Sequence, residues 1–256
     1  MSDLENKEKL VRLVDVHKSF GQQKVHRGID LDIYEGETLV LIGGSGEGKS
    51  VLLKEILGLV CPEKGEIYID DVEITGLNER KLAPVREKLG MLFQDGALFD
   101  SMTVAENVAF PLHQVGIKDP KILEEKVREA LWVVDLGEHL EKMPVELSGG
   151  MRKRVALARA IVSRPRCVLY DEPTSGLDPL VSGSIDQLIK RLQKRFGMTS
   201  VVVSHDMRSV YEIADRVAFL KDGKIHFIGT VDEIKNSQDE HVRHYLDGRD
   251  EIDVDA

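Results

Sequence analysis

The chain has 256 residues, of which 42% are hydrophobic and 31% are charged, and its formal net charge is -10. This is the composition of an ordinary soluble globular protein, and no apolar run approaches the about 18 residues that a membrane span needs. The negative charge argues against non-specific binding to nucleic acid or to an anionic lipid surface, because both attract basic patches. Cys61 and Cys167 form no disulfide framework, and the N-terminus lacks the apolar core of a signal peptide, so we expect a reducing cytoplasm.

Two strand patterns open the chain. Val11–Phe20 alternates apolar and polar residues, as a half-buried strand does. Gly28–Glu37 is typical of a second strand followed by a turn. We therefore expect an antiparallel sheet at the edge of the fold.

The next segment matches a phosphate-binding loop. Gly43–Ser50 follows the pattern G-x-x-x-x-G-K-[ST], in which glycines let backbone N–H groups approach phosphate. The buried-strand pattern of Thr38–Ile42 precedes it, and a helical pattern over Val51–Leu57 follows and would direct its positive dipole end at the anion. Lys49 is expected to bind the β and γ oxygens, and Ser50 is expected to bind Mg²⁺. The predicted nucleotide contacts are Gly43, Gly44, Ser45, Gly46, Glu47, Gly48, Lys49, Ser50 and Val51.

A mostly parallel core sheet is predicted after this loop, with helices between its strands. One helix is well supported, because apolar residues recur at spacings of three and four between Val181 and Phe196. From Gln94 to Pro165 the pattern is of consecutive helices, among them Ile122–Leu136, which indicates an inserted helical lobe. The further strand candidates are Gly90–Gln94, Cys167–Asp171, Ser200–Ser204 and Val217–Leu220.

Polar residues stand at the carboxyl ends of these strands, where nucleotides bind in parallel sheets. Asp171 is predicted to reach Mg²⁺, and Glu172, on the alternate face, to orient the attacking water as a base. Alternatively, Glu172 before Pro173 only caps a turn. His205 is predicted to donate to the γ-phosphate, although a lone histidine is usually structural. Gln94 is expected to contact water and the metal.

The motif Leu147–Met151 begins a second helix, predicted over Met151–Ile161. Ser148 and the N–H groups of Gly149 and Gly150 would form a second anion site backed by a helix dipole. Two copies related by a two-fold axis would let the loop of one protomer and this helix end of its partner enclose each nucleotide. The alternative is an ordinary serine N-cap. The basic residues of the helix are interpreted as a solvated face: Arg152, Lys153, Arg154 and Arg159.

From about Leu10 to Lys235 these motifs stand in the order of an ABC-type ATPase, a family that the chain resembles. The resemblance implies an α/β P-loop NTPase fold of the ABC ATPase type, with a mostly parallel core sheet, an antiparallel β edge and an inserted helical lobe. It also implies ATP and Mg²⁺ as ligands, with Ser50, Gln94 and Asp171 at the metal. Phe20 would stack on adenine, although by pattern alone it could be a core aromatic residue. Ser175–Asp178 matches the loop through which the two ATP sites communicate.

Two positions depart from the family pattern. Met151 stands where glutamine is more frequent, and Glu47 places an acid inside the phosphate loop. Neither departure removes a serine, lysine or glycine that the mechanism uses. Glu47 must point away from the phosphates or weaken binding. The domain organisation implied is a tail at 1–9, an ATPase domain at 10–240 with the lobe at about 95–165, and an acidic tail at 241–256.

Within the family, Leu92–Leu112 and Glu146–Ile161 are similar to the ATPase subunit of MCE-associated phospholipid transporters of the Mla type. This implies a head-to-tail homodimer holding two ATP, on the cytoplasmic face of the inner membrane. It further implies permease subunits and MCE-domain and STAS-domain partners, and no nucleic acid. An apolar cluster, Ala97 to Phe99 with Met102, follows Gln94 where such ATPases receive a helix of the permease; the alternative is that it belongs to the lobe's own core.

Other functions remain open at this point. The ATPase could serve another ABC transporter, for an amino acid, an osmolyte or a drug. Soluble ABC ATPases typically carry a long coiled coil, zinc cysteines or tandem cassettes, none of which this sequence shows. A small-molecule kinase would leave Leu147–Met151 unexplained.

The C-terminal region is acidic. From Asp232 to Ala256 there are nine Asp or Glu and three Lys or Arg. The simpler interpretation is a solvated end. However, Val242–Gly248 carries apolar residues at helical spacing, which raises the hypothesis that this segment docks on a partner.

Overall fold

The computed structural model describes residues 7–248 and divides into two compact units. Of the described residues, 7–78 and 203–248 form the first unit, and Glu79–Val202 form the second. Of the predicted tails, residues 1–6 and 249–256 lie outside the described residues. Within residues 7–248, no helix combines the length and the apolar character needed to cross a membrane.

The first unit begins with an antiparallel sheet of strand order β2-β1-β4-β5. The pairing of β1 with β2 confirms the predicted antiparallel edge. The sequence pattern misses β4, a short strand of only six residues that is half solvent-facing. The elements are β1 (Lys9–Phe20), β2 (Gln23–Tyr34), β3 (Thr38–Ile42), α1 (Lys49–Ile56), β4 (Lys64–Ile69) and β5 (Val72–Glu73).

The second unit holds helices and three strands in the order β8-β7-β6, with β6 and β7 parallel. Between residues 94 and 165 it contains helices and no strand, as the sequence predicts; the bounds of an inserted lobe remain a prediction. The elements are α2 (Glu79–Arg86), β6 (Leu89–Leu92), α3 (Val104–Gln114), α4 (Pro120–Val133), a 3-10 helix (Pro144–Glu146), α5 (Gly149–Ile161), β7 (Cys167–Asp171), α6 (Pro179–Phe196) and β8 (Thr199–Val203). The last residue of β8, Val203, falls in the first unit.

The chain then completes the first unit. Strand β9 pairs parallel with β3, and β10 pairs antiparallel with β9. The parallel pairs in both units confirm the predicted character of the core. The elements are α7 (Met207–Ile213), β9 (Arg216–Lys221), β10 (Lys224–Gly229), α8 (Val231–Lys235) and α9 (Glu240–Leu246).

The core of each unit follows the apolar patterns, with two corrections. In α6, Ile185 and Leu192 are at most 1% exposed, but Phe196 at the end of the predicted stripe is 39% exposed and does not belong to the core. Strand β6 ends at Leu92, so Gln94 lies two residues beyond the strand rather than at its end. Both differences occur at the end of an element, where the periodicity of the sequence no longer determines which way a side chain faces.

Candidate functional site

The phosphate-loop motif joins β3 to α1 in the first unit. Gly43, Gly46 and Gly48 have φ angles of 153°, 84° and 99°, which residues with a Cβ rarely adopt. At Gly43 a Cβ would also lie 2.3 Å from the carbonyl oxygen of Leu220. The glycines of the motif are therefore required by the path of the backbone itself.

Helix α1 begins without a side-chain cap. Its N-cap residue is Gly48, which has no side chain to accept a hydrogen bond from the first turn. Such a terminus favours an anion. The ammonium of Lys49 is buried and donates to the carbonyl oxygens of Gly43 at 2.8 Å and Gly44 at 2.7 Å, which holds the lysine inside the loop. Ser50 lies in the first turn of the helix.

A buried polar pair supports this loop from behind. His26 and Glu55 have fully buried side chains, and His26 Nδ1 lies 2.8 Å from Glu55 Oε2. His26 Nε2 lies 3.2 Å from the carbonyl oxygen of Gly48, within hydrogen-bonding distance. A Cβ at Gly48 would lie 2.6 Å from this nitrogen. Sequence reasoning missed both residues, because neither belongs to the motif.

Two other predicted contacts lie in the first unit. Phe20 ends β1 and is 51% exposed, which rules out the alternative of a core aromatic residue. The ammonium of Lys18 lies 5.2 Å from its ring centroid. His205 is exposed and follows β8, two residues before α7 begins. Their roles toward a nucleotide remain predictions.

The acidic loop residue Glu47 lines a pocket of about 410 Å³ beside the phosphate loop. Lys221 and His241 line the same pocket, so cationic or protonatable groups lie on the side of the loop where Glu47 is found. This arrangement is compatible with the requirement that Glu47 keep away from phosphate.

Part of the C-terminal region is folded rather than solvated. Val242 in α9 is 1% exposed, and the ring of Tyr245 lies 5.1 Å from that of Phe219 in β9. Asp239 caps the helix and contacts His226 at 3.0 Å. The helical spacing of this segment therefore reflects packing against its own unit, at least through residue 248.

In the second unit, the acid pair follows β7. Asp171 is 7% exposed and is the last strand residue. Glu172 has a φ of 48°, a left-handed conformation that is rare and costly for a residue with a side chain. The argument that the two acids alternate along a strand is therefore wrong, because the chain leaves the strand between them. The direction of the Glu172 side chain is set by this turn.

The basic face of α5 is the largest departure from expectation. Lys153 is 7% exposed and donates to the carbonyl oxygen of Gln94 and, at 3.4 Å, to that of Glu172. Burial lowers the pKa of Lys153 below its ordinary value, against the opposing charges of Asp95, Glu172 and Asp171. Arg159, half-buried, donates to Gly96 and Ala97. The predicted solvated face is wrong for both residues.

Lys153 thus brings together two predicted catalytic residues, Gln94 and Glu172, through their main chains. No sequence motif marks it, and one signal was available: a lysine one turn into a helix that also carries buried valine and alanine, Val155 and Ala156. Such a position can face inward. The bulk composition of the helix, however, is dominated by its four cations.

Ser148 caps α5 by accepting from the N–H group of Met151 at 3.3 Å. This is the ordinary N-cap geometry, and an anion role for Ser148 and the N–H group of Gly149 remains a prediction. Gly150 has a packing reason to be glycine, since a Cβ there would lie 2.5 Å from Val181 of α6. The Ser175–Asp178 motif ends in a second cap, as Asp178 accepts from the first turn of α6.

The apolar cluster after Gln94 is partly exposed. Phe99 is 41% exposed, and its ring lies 4.7 Å from that of Phe110. Asn107, fully buried, holds this turn by accepting from the N–H group of Phe99 and donating to three carbonyl oxygens, including that of Met102. Ala97 is also exposed, and Leu98 and Met102 are only partly buried, so no residue of the cluster belongs to the buried core.

Comparison with known proteins identifies the family to which the chain belongs. Residues 26–175 match the family model described as ABC transporter. The chain is 44% identical over 216 residues to the methionine import ATP-binding protein MetN of Carboxydothermus hydrogenoformans, covering 84% of this chain and 64% of that protein. It therefore spans less than two thirds of the length of that relative.

Two further relatives differ in the cargo that their names give. The chain is 40% identical to the probable ribonucleotide transport ATP-binding protein mkl of Mycobacterium leprae, covering 91% of this chain and 67% of that protein. It is 41% identical to the intermembrane phospholipid transport system ATP-binding protein MlaF of Haemophilus influenzae, covering 89% and 86%. A solved ATP-binding cassette, dimeric in a post-hydrolysis state with ADP and Pi, superposes with a TM-score of 0.79 at 34% identity, covering 86% of this chain and 98% of that one.

Proposed function

The chain belongs to the ABC transporter family, with an ABC ATPase fold, and from that premise we propose that it hydrolyses ATP as the nucleotide-binding subunit of a membrane transporter. Two copies would close around MgATP and reopen after hydrolysis, driving a separate permease. The observation that carries this proposal is the loop of residues 43–50, in which backbone angles that favour glycine and a helix N-terminus with a glycine N-cap suit the binding of phosphate.

The chemistry of the loop supports binding of a triphosphate. Lys49 holds its ammonium against two carbonyl oxygens of the loop, which places its donors where phosphate oxygens would bind. Ser50, Gln94 and Asp171 are proposed to hold Mg²⁺, for which their hydroxyl, amide and carboxylate oxygens are suitable ligands. When bound, Mg²⁺ would neutralise charge developing on the phosphates.

Glu172 is proposed as the base that orients water, and His205 as a donor to the γ-phosphate. The left-handed backbone at Glu172 supports the first assignment, because strain of this kind is found where a side chain must be aimed. The exposed ring of Phe20 is proposed to stack on adenine.

The second anion site is proposed to act in trans. Ser148, Gly149 and Gly150 begin α5, a helix of 13 residues whose dipole favours an anion at that end. A head-to-tail homodimer would bring this end to the nucleotide of the partner protomer. Dimeric cassettes among the solved structures support such an assembly.

The transporter is proposed to carry phospholipid, with MCE-domain and STAS-domain partners, and the subunit to lie on the cytoplasmic face of the inner membrane. The motif similarity of residues 92–112 and 146–161, and the relationship to MlaF, support this cargo. The relationship to MetN supports methionine import as the second candidate. The permease is proposed to contact the partly exposed turn around Phe99, beside a groove lined by Met102 and Phe110.

The base assignment is tested with Glu172→Gln. We expect unchanged ATP affinity, a loss of hydrolysis on the order of 100-fold or more, and accumulation of an ATP-bound dimer in light scattering. Glu125→Gln, an exposed glutamate in α4, is the matched control and should behave as the parent. Equal turnover of Glu172→Gln and the parent would contradict the assignment.

The trans site is tested with Ser148→Arg. The variant should bind ATP as a monomer with parental affinity, yet neither dimerise nor hydrolyse, because the added side chain obstructs the site of the partner's nucleotide. Loss of ATP binding by the monomer would show instead that Ser148 acts in its own protomer.

The cargo requires the native assembly. Purification of the chain from its own membranes in mild detergent, followed by identification of co-purifying proteins and lipids, should recover a permease with an MCE-domain protein. Recovery of an amino-acid permease would replace phospholipid with the second candidate.

A further inference from the structure

The second unit contains a buried cation that the proposed mechanism does not use. Lys153 is 7% exposed, and its ammonium donates to the main-chain carbonyl oxygens of Gln94 and Glu172. Removing an ammonium from water is costly unless its donors are satisfied. The burial of this ammonium therefore carries a desolvation cost, and its hydrogen bonds go to the two loops that carry predicted catalytic residues.

A second contact fastens the same loop to α5. Arg159 donates at 2.7 Å to the carbonyl oxygens of both Gly96 and Ala97. Gly96 is buried with a φ of 76°, and a Cβ at this position would lie 3.4 Å from that of Ala156. The backbone of residues 94–97 thus lies close along α5 and is held at two points, Lys153 and Arg159.

Glu172 depends on the same lysine. Its left-handed backbone conformation is of a kind that costs about 1–3 kcal/mol and persists only where surrounding contacts hold it. The bond from Lys153 to the Glu172 carbonyl oxygen is one such contact. This hydrogen bond holds the main chain of Glu172.

We propose that Lys153 is a positioning residue that fixes Gln94 and Glu172 to α5, so that the helix capped by Ser148 also sets the geometry of the catalytic loops of its own protomer. Lys153 lies five positions after Ser148, or about 8 Å along the helix. The inference rests on the proposed function. It adds a physical link by which a nucleotide held at Ser148 acts on hydrolysis in the protomer that supplies this serine.

The experiment compares Lys153→Met with Lys194→Met, which removes an exposed lysine from α6. Methionine keeps the length of the side chain and removes the donors. In the full chain we expect kcat for ATP to fall by about 10-fold to 100-fold in Lys153→Met, because misplaced catalytic groups cost rate, while the Kd for ATP changes by less than about 2-fold. Amide hydrogen exchange of residues 94–98 should become faster, and Lys194→Met should change none of these quantities.

Arg159→Met is the second variant, used also if Lys153→Met fails to fold. It should accelerate exchange in the same peptide and lower kcat by a smaller factor, since it keeps the bond from Lys153 to the Gln94 carbonyl oxygen. Parental kcat in Lys153→Met, or parental exchange of residues 94–98 in both variants, overturns the inference. A parent chain without ATP turnover contradicts the proposed function instead, and hydrogen exchange then decides the positioning claim by itself.

Discussion

The phosphate loop of the first unit and the Gln94 loop of the second unit are both irregular segments that follow a buried strand, but they are held in different ways. Residues 43–50 owe their path to glycines within the segment, at φ angles that other residues avoid. Residues 94–97 are held by side chains from α5, and the following turn is held by Asn107 from α3. The path of the first loop depends on glycines within the loop, whereas the path of the second loop depends on side chains from residues far along the chain.

The largest effect should come from a methyl group in the first loop. In Gly43→Ala, the Cβ would lie 2.3 Å from a backbone oxygen at a φ of 153°, so we expect the free energy of unfolding to fall by about 4 kcal/mol and ATP binding to be lost. Urea unfolding measures the change in the free energy of unfolding, and nucleotide titration measures ATP binding. Gly46→Ala is the control, since open space surrounds that position and only about 1 kcal/mol of backbone strain is expected. Equal losses in the two variants would show that the close approach to Leu220 is unimportant.

The support behind the first loop should matter nearly as much. Glu55→Ala breaks a fully buried pair and leaves His26 without its carboxylate, so we expect a loss of about 3 kcal/mol in urea unfolding. The double variant with His26→Leu should recover part of this loss, because it removes the group left unpaired. If the double variant is instead less stable than Glu55→Ala by about another 3 kcal/mol, the two residues contribute to stability independently and not through their pairing.

In the second region, removal of a supporting side chain should cost less stability, because the turn it holds is partly solvated. Asn107→Ala removes four hydrogen bonds to the turn of residues 99–103, and we expect a loss of about 2 kcal/mol with faster amide exchange in that turn. Gln114→Ala, at an exposed position of the same helix, should stay within about 0.5 kcal/mol of the parent. Parental exchange in the turn would mean that its shape is local after all.

The smallest effect concerns a surface carboxylate of the second unit. Partial burial raises the pKa of Asp135, but Arg154 and Arg191 outweigh it and hold the pKa below its ordinary value of 3.8. A lowered pKa stabilises the fold above the unfolded-state value, and this stability is lost as the pH falls through the folded-state value. Because the side chain is 56% exposed, Asp135→Asn should cost less than about 1 kcal/mol at neutral pH, and the difference should vanish in strong acid. Urea unfolding across this pH range checks the sign; a larger difference in acid would reverse it.

Several elements follow from the sequence because their physical cause is local. The alternation in β1, the buried pattern of β3 and β7, and the apolar spacing in α6 each predict an element within a few residues of its observed bounds. The glycine motif predicts its loop for the same reason. Elements with weaker local signals, such as β4, and the end of β6 before Gln94, are found only in the structure.

The features of the candidate site also differ in whether their cause is local in the sequence or depends on the tertiary structure. Sequence alone determined the family, the order of the motifs and the position of the glycine loop, since these depend on the residues of each motif. The contacts that exclude a Cβ at Gly43 and Gly48, with Leu220 and His26, come from the tertiary structure. Tertiary structure decided that Lys153 is buried, that Arg159 and Asn107 hold loops, that His26 and Glu55 pair behind the phosphate loop, and that Val242 in α9 packs inward. The reason is that a cation or an amide takes its role from the acceptors that the fold brings to it, and those acceptors lie as many as 63 residues away along the chain.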